Sequence, residues 1–142
     1  MTLFLINIEL NQCLDNNFVM DNQKTVLIIE DEKMIREILK KKIEGEGYRV
    51  ETAEDGEEGV AKIKEVLPDL ILLDIVMPKM DGFTVLEEMK KDENIINIPV
   101  IIVSNSGQPV EIDKVKSYGV KEWVVKTEFD PTEVVNKINE QI

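Results

Sequence analysis

Short aliphatic runs alternate along the chain with segments in which apolar residues recur at helical spacing, beginning at Thr25. Short apolar runs are typical of buried strands, and the recurrence is typical of amphipathic helices. The pattern predicts strands at Val26–Ile29, Tyr48–Ala53, Leu70–Leu73, Val100–Val103 and Glu122–Val125. It predicts helices at Lys33–Glu46, Gly56–Leu67, Phe83–Lys91, about Val110–Tyr118, and from Pro131 onward with Asp130 as N-cap.

Five strands that alternate with five helices indicate an α/β fold. The first, third and fourth strands are almost continuously apolar, which is typical of parallel strands covered on both faces. Right-handed crossovers then place helices on both sides of the sheet. The sequence therefore predicts a doubly wound, five-stranded parallel sheet.

The first 23 residues do not share this pattern. Thr2–Ile8 is apolar but contains no Lys or Arg, and no small-residue cleavage site follows it, so it does not resemble a secretory signal. The remainder, up to residue 23, is polar and without a sustained period. We expect residues 1–23 to be an extension outside the folded body and residues 24–142 to form the domain. The alternative is an additional strand or helix that docks on that domain.

The amino-acid composition excludes several classes of partner and of chemical site. The chain has 17 basic and 29 acidic residues and a net charge of −12, which disfavours nucleic-acid and membrane-surface partners because both need clustered Lys and Arg. It has no histidine and one cysteine, Cys13. An internal disulfide, a zinc site and histidine-dependent nucleophiles are therefore excluded. No apolar run reaches the roughly 18 residues of a membrane span, and we expect a soluble, cytoplasmic protein.

Chemically useful side chains follow four of the predicted strands. Function in a doubly wound sheet collects at the carboxyl ends of its strands. The residues found there are Glu30 and Asp31, Asp74, Ser104, and Lys126. Taken singly, each has an ordinary structural explanation: helix capping for the acidic pair, a turn for Asp74, a loop hydroxyl for Ser104, and a solvated side chain for Lys126.

Taken together, these residues indicate a cation site and phosphoryl transfer. Three carboxylates at one sheet edge repel one another unless a cation lies among them. Mg²⁺ fits because it prefers oxygen ligands and commonly binds through one or two carboxylates plus a phosphate. A carboxylate nucleophile beside a divalent cation, a lysine and a hydroxyl is suited to phosphoryl transfer. Asp74 would then carry an aspartyl phosphate.

Two stretches carry a family resemblance: VLIIEDEKMIREILKKKIEGEGYRVETAEDGEEGV and PDLILLDIVMPKMDGFTVLEEMK. They resemble the receiver domain of two-component response regulators, of the stand-alone CheY-like type, over roughly Lys24 to Ile142. The resemblance implies a flavodoxin-like sheet with strand order 2-1-3-4-5. The positions that match the family's functional residues are Glu30 and Asp31 (metal-binding pair), Asp74 (phosphoacceptor), Val76 (carbonyl ligand of the metal), Ser104 (switch hydroxyl), Trp123 (switch aromatic) and Lys126 (invariant lysine).

The resemblance also implies partners. A histidine kinase or phosphotransfer protein would supply the phosphoryl group, in a reaction that depends on Mg²⁺. Self-catalysed phosphotransfer and dephosphorylation are expected, without turnover of a separate substrate. Because the sequence stops soon after the last helix, we expect the signal to leave by protein contact through the face of helix 4, strand 5 and helix 5, about Val110 to Gln141. Direct contact with nucleic acid or membrane is not expected.

Some positions depart from the family pattern, and alternative interpretations of the site remain. Thr127 follows Lys126 where most receivers have proline, so the family's cis peptide is not expected. Serine replaces the commoner threonine at 104, and Trp123 is bulkier than the usual Tyr or Phe, so it is alternatively a structural aromatic. An aspartate-nucleophile phosphohydrolase would need a second Asp where Val76 stands. A docking module that is never phosphorylated is the remaining alternative.

Overall fold

Five parallel strands form one sheet in the order β2-β1-β3-β4-β5. The computed structural model describes residues 23–105, 109–128 and 130–142. Its strands are β1 (Thr25–Ile29), β2 (Arg49–Ala53), β3 (Leu70–Asp74), β4 (Val100–Ser104) and β5 (Glu122–Val125). The order confirms the predicted doubly wound, flavodoxin-like α/β fold.

In the described ranges four helices connect the strands and a fifth follows β5: α1 (Lys33–Gly45), α2 (Gly56–Val66), α3 (Gly82–Lys90), α4 (Pro109–Ser117) and α5 (Pro131–Gln141). Each predicted helix exists, with ends that differ by a residue at most positions. The predicted second helix was one residue too long, because Leu67 is a C-cap in the left-handed region at φ 50°. Pro68 follows it, and a residue before proline is disfavoured in the helical region. As predicted, Asp130 is the N-cap of α5 and accepts a hydrogen bond from the Thr132 amide.

The two faces of the sheet are covered by separate apolar clusters. Alternate residues of β1 point to opposite faces, so Leu27 and Ile29 pack with α2 and α3, while Val26 and Ile28 pack with α1 and α5. All five residues of β3 are buried. This central strand is fixed from both sides, and the residue at its carboxyl end is held rigidly as a result.

Strand register aligns the carboxyl ends of the sheet. Ile29 lies opposite Leu73, Asp74 opposite Val103, and Ser104 opposite Val125. The residues that end or follow β1, β3, β4 and β5 therefore meet at one edge.

The loop between β3 and α3 returns very close to that edge. The Gly82 amide donates to the Ile75 carbonyl at 2.7 Å. A Cβ atom at Gly82 would lie 2.3 Å from the backbone oxygen of Asp74. Only glycine permits this approach, so Gly82 fixes the turn that follows Asp74.

Residues 1–22 fall outside the described part of the chain, so the predicted extension over 1–23 is described only at Gln23. The Gln23 side chain donates from Nε2 to the Gly47 carbonyl at 3.0 Å. None of the helices in the described ranges is long and apolar enough to cross a membrane.

Candidate functional site

The four strand ends bring the predicted residues to one buried site. Asp74 and Ser104 are the last residues of β3 and β4, and Glu30 and Lys126 directly follow β1 and β5. The Glu30 amide donates to the Ala53 carbonyl at 3.0 Å, and the Lys126 amide donates to the Ser104 carbonyl at 2.7 Å. These backbone bonds extend the sheet by one residue and hold both side chains at its edge.

Lys126 is the centre of this site. Its ammonium donates to Asp74 Oδ2 at 2.9 Å, to Glu30 Oε1 at 2.6 Å and to Glu32 Oε1 at 3.2 Å. The Lys126 side chain is 3% exposed, and those of Glu30 and Asp74 are 2% and 1% exposed. A lysine ammonium has three N–H donors, so three carboxylates occupy all of them. The solvated-lysine interpretation is therefore wrong for this residue.

Burial, together with an excess of negative charge, shifts the pKa values at the site. Burial raises the pKa of Asp74 from 3.8 to about 7; the carboxylates of Glu30 and Asp31 add to the rise, and Lys126 opposes it. Burial also raises the pKa of Glu30, again against the influence of Lys126. Burial alone would lower the pKa of Lys126, but its bonds to Glu30 and Asp74 outweigh that effect and raise it. The lysine stays charged, while the buried carboxyls resist full ionisation.

The site has spare acceptor atoms of the kind that bind a hard cation. Glu30 Oε2 and Asp74 Oδ1 are buried and have no hydrogen-bond partner among the described residues. One carboxylate oxygen from each of Glu30, Asp31 and Glu32 lies within 4.8 Å of the other two. Asp31 also contributes to the raised pKa of Asp74. Oxygen-only donors with unused lone pairs fit Mg²⁺.

The acidic pair is not primarily a helix cap. The N-cap of α1 is Glu32, and its side chain accepts no capping hydrogen bond. Glu30 accepts only a long bond from the Glu32 amide, at 3.4 Å, beside its short bond to Lys126. Asp31 is exposed at the mouth of the site. Glu30 therefore faces inward, and Asp31 faces solvent.

The two predicted switch residues lie on the side of the site nearest α4. Ser104 is 5% exposed, and its hydroxyl donates to Glu111 Oε1 at 3.0 Å. Trp123 lies in β5 opposite Ile102, is partly buried against the core, and has the Lys116 ammonium 5.3 Å above its ring. Val76, two residues beyond Asp74, has an exposed side chain. No peptide bond in the described ranges is cis, which includes the bond between Lys126 and Thr127.

Comparison with known families decides the identity. The family model described as response regulator receiver domain matches residues 26–139. The chain belongs to this family. Receiver domains are signalling modules switched by phosphorylation, and this function is supported over the phosphohydrolase alternative.

Individual relatives agree with the family assignment. The chain is similar to chemotaxis protein CheY of Thermotoga maritima, at 37% identity over 82% of this chain and 95% of that protein. It is 37% identical to a probable transcriptional regulator, ycf27, of Guillardia theta, over 90% of this chain and 48% of that protein. Among solved structures it resembles a CheX-CheY-BeF3-Mg²⁺ complex from Borrelia burgdorferi, with TM-score 0.74 and 34% identity over 82% of this chain and 87% of the matched chain.

The relatives differ in length. This receiver chain spans about half of the curated transcriptional regulators that it matches, but nearly all of the Thermotoga maritima CheY protein.

Three residues that contact this receiver site were not predicted from the sequence. Glu32 is the third carboxylate on Lys126, and Glu111 is the acceptor for Ser104. Arg36 Nη1 donates to the Glu30 carbonyl at 2.8 Å and to the Asp31 carbonyl at 3.3 Å, which fixes the backbone of the acidic pair. Glu32 directly follows that pair, and this adjacency was its one signal in the sequence. Arg36 and Glu111 lie on helices and have no distinctive spacing.

The burial of Asp74 predicts an unusual pH dependence of stability. The pKa of Asp74 is raised in the folded protein, so without metal its contribution to stability is fully present below about pH 4 and is lost as pH rises to about 7. Asp74→Asn should therefore be more stable than wild type in chelator at pH 8, by up to about 4 kcal/mol, and should show a flatter pH profile. Urea unfolding at pH 5 and pH 8 measures both. Equal pH slopes for the two proteins would refute the raised pKa.

Proposed function

We propose that Asp74 is the phosphoacceptor of this receiver domain and takes its phosphoryl group from a histidine kinase or a phosphotransfer protein. The observation that carries the proposal is the hydrogen bond from Lys126 Nζ to Asp74 Oδ2 at 2.9 Å, at the buried end of β3. That contact leaves Asp74 Oδ1 as an oxygen without a hydrogen-bond partner among the described residues. An aspartate so placed has one oxygen oriented by a cation and one oxygen available to form a new bond.

The transfer step is a displacement at phosphorus. A bond forms between an Asp74 carboxylate oxygen and phosphorus as the donor's P–N bond breaks. The electron pair of that bond stays with the donor imidazole nitrogen, which takes a proton from solvent. The nucleophile must be ionised, and the raised pKa of Asp74 means that a second cation beside Lys126 favours the reactive form. Catalysis of this kind is mostly positioning and charge neutralisation.

The metal in this proposal is Mg²⁺, which would be held by Glu30, Asp31, Asp74 and the backbone carbonyl of Val76. When bound, it supplies positive charge that lowers the cost of ionising these carboxyls and of receiving phosphoryl oxygens. Lys126 keeps its positive charge throughout, because its pKa is raised, and pairs with the phosphoryl oxygens. Ser104 moves toward Asp74 and donates a hydrogen bond to the same group. Trp123, the switch aromatic, then turns into the space that Ser104 leaves.

The output in this proposal is a change of protein contact. The surface that carries it consists of α4, β5 and α5, spanning Pro109–Gln141. Both switch residues are connected to this surface, since Ser104 contacts α4 and Trp123 is a residue of β5. We propose a cytoplasmic module over residues 24–142 with residues 1–23 as an extension. It would have no direct nucleic-acid or membrane contact and no turnover of a separate substrate, although its relatives include transcriptional regulators.

The proposal is tested by incubating the protein with Mg²⁺ and acetyl phosphate and measuring intact mass. Wild type should gain one phosphoryl group, and Asp74→Asn, which keeps the shape but removes the anionic nucleophile, should gain none. Asp69 is a matched control, because it is an aspartate at the opposite end of β3 whose carboxylate accepts a bond from the Thr25 amide. Asp69→Asn should still be phosphorylated. Incorporation into Asp74→Asn at the wild-type rate would show that another residue is the acceptor.

Magnesium should stabilise the fold. A ligand that binds only the native state raises stability by mass action, about 2.7 kcal/mol at one hundred times its dissociation constant. Asp31→Asn should raise the melting temperature in chelator, because it removes a negative charge that raises the pKa of the neighbouring Glu30 carboxyl. The same substitution should abolish the rise caused by Mg²⁺. Thermal melts with and without Mg²⁺ measure both effects, and an unchanged Mg²⁺ response in Asp31→Asn would contradict the proposed metal site.

A further inference from the structure

The first turn of α4 contacts the site through one side chain. Glu111 belongs to that turn, and its carboxylate accepts the hydrogen bond of the Ser104 hydroxyl at 3.0 Å. Ser104 is buried at the end of β4, while Glu111 is only half-buried. A charged acceptor makes this a stronger bond than one between neutral groups.

The Ser104 hydroxyl has a single proton, so it donates fully to one acceptor at a time. Asp74 ends the neighbouring strand, with Val103 as its register partner, one residue before Ser104. If a phosphoryl group on Asp74 accepts the hydrogen bond of the Ser104 hydroxyl, the hydrogen bond to Glu111 must break. The phosphoryl group also adds negative charge beside Ser104, which repels the Glu111 carboxylate.

A second charged residue connects α4 to the other switch position. The Lys116 ammonium lies 5.3 Å above the ring of Trp123. Both residues expected to move with phosphorylation are therefore held by side chains of α4, one acidic and one basic. A change at Ser104 is in this way transmitted to α4, which forms part of the proposed output surface.

We propose that Glu111 is a positioning residue that holds the Ser104 hydroxyl on α4 in the unphosphorylated protein. Glu111 competes with the phosphoryl group for the hydrogen bond that this hydroxyl donates. Phosphorylation is thereby coupled to release of the first turn of α4. This inference rests on the proposed function, since it needs a phosphoryl group at Asp74. It adds a specific competitor to that function. Removing the competitor favours the modified state, and by linkage the modified state weakens the hold on α4.

The test is calorimetric titration with beryllofluoride, a phosphoryl mimic, in the presence of Mg²⁺. Glu111→Ala should bind the mimic about fivefold more tightly than wild type, a modest coupling for a partly exposed carboxylate. Glu111→Gln keeps the size and one neutral acceptor oxygen, so it should fold normally and show a smaller increase. Asp113→Ala removes an exposed charge of the same sign from the same helix and should bind like wild type.

A Ser104→Ala background decides whether the effect passes through the hydroxyl. In that background, Glu111→Ala should no longer change the affinity for beryllofluoride, because the hydroxyl donor for which Glu111 competes is absent. An increase that persists in this background, or an equal increase in Asp113→Ala, would show a general charge effect and overturn the inference. Wild-type affinity in both Glu111 variants would overturn the inference alone. Failure of wild type itself to bind the mimic would refute the proposed function and the inference with it.

Discussion

Replacing Lys126 with methionine should destabilise the metal-free protein by about 3–5 kcal/mol at pH 8, because removing one partner of a buried ion pair leaves uncompensated charge. The carboxylates of Glu30 and Asp74 would remain buried, because their side chains are 2% and 1% exposed. Methionine approximates the length of the lysine stem, so the loss is chiefly electrostatic and not a cavity. The measurement is urea unfolding in chelator, with the free energies of unfolding of the variant and wild type compared at the same pH.

The pH dependence of the Lys126→Met effect separates charge from packing. Without the lysine, the pKa values of Glu30 and Asp74 rise further, and the folded variant takes up protons as pH falls. The variant should therefore recover stability between pH 8 and pH 5. Lys91→Met is a matched control, because Lys91 lies 3.2 Å from Glu88 with its side chain 72% exposed, and its loss should cost within about 0.5 kcal/mol. A penalty for Lys126→Met that is independent of pH would indicate packing and contradict this electrostatic explanation.

Alanine at Gly82 should destabilise the fold by about 2–3 kcal/mol, the usual cost of forcing an extra methyl group into a packed region. The new Cβ would stand 2.3 Å from the backbone oxygen of Asp74 and 2.9 Å from Ile75 Cα. Both are backbone atoms, so the clash is relieved only by moving the loop that follows β3. We therefore expect weaker beryllofluoride binding in addition to the loss of stability.

Gly45 supplies the control for that substitution. It ends α1, and a Cβ there would meet nothing within 4 Å. Gly45→Ala should be neutral or stabilise by up to about 1 kcal/mol, as expected for alanine over glycine in a helix. Unfolding and beryllofluoride titration of both variants measure the contrast. Normal affinity in a destabilised Gly82→Ala would show that the loop does not position Asp74.

The fold was predictable because its signals are local and agree with one another. The aliphatic runs that become β1, β3 and β4 are buried almost completely, and the signals at Asp130 and Pro131 mark the start of α5. The strand order came from a family resemblance and not from hydrophobic pattern. The hydrophobic pattern alone indicates that the strands are parallel and covered on both faces, but it does not indicate which strands are neighbours.

The site was predictable only as far as strand ends determine it. Glu30, Asp74, Ser104 and Lys126 meet because register places them at one edge. Contacts made by helix residues depend on how each helix is rotated on the sheet. The bond between Ser104 and Glu111 is such a contact, and no spacing in the sequence predicts it.

The central claim, that Asp74 in the Lys126 cluster is the phosphoacceptor, is tested most directly by locating the phosphoryl group. Borohydride reduces an aspartyl phosphate to the corresponding alcohol, a stable mark that peptide mapping can place. Wild type treated with Mg²⁺ and acetyl phosphate and then with borohydride should carry this mark at position 74 alone, and the mark should be absent when chelator replaces Mg²⁺. A reduced residue at any other aspartate, with position 74 unmodified, would contradict the claim.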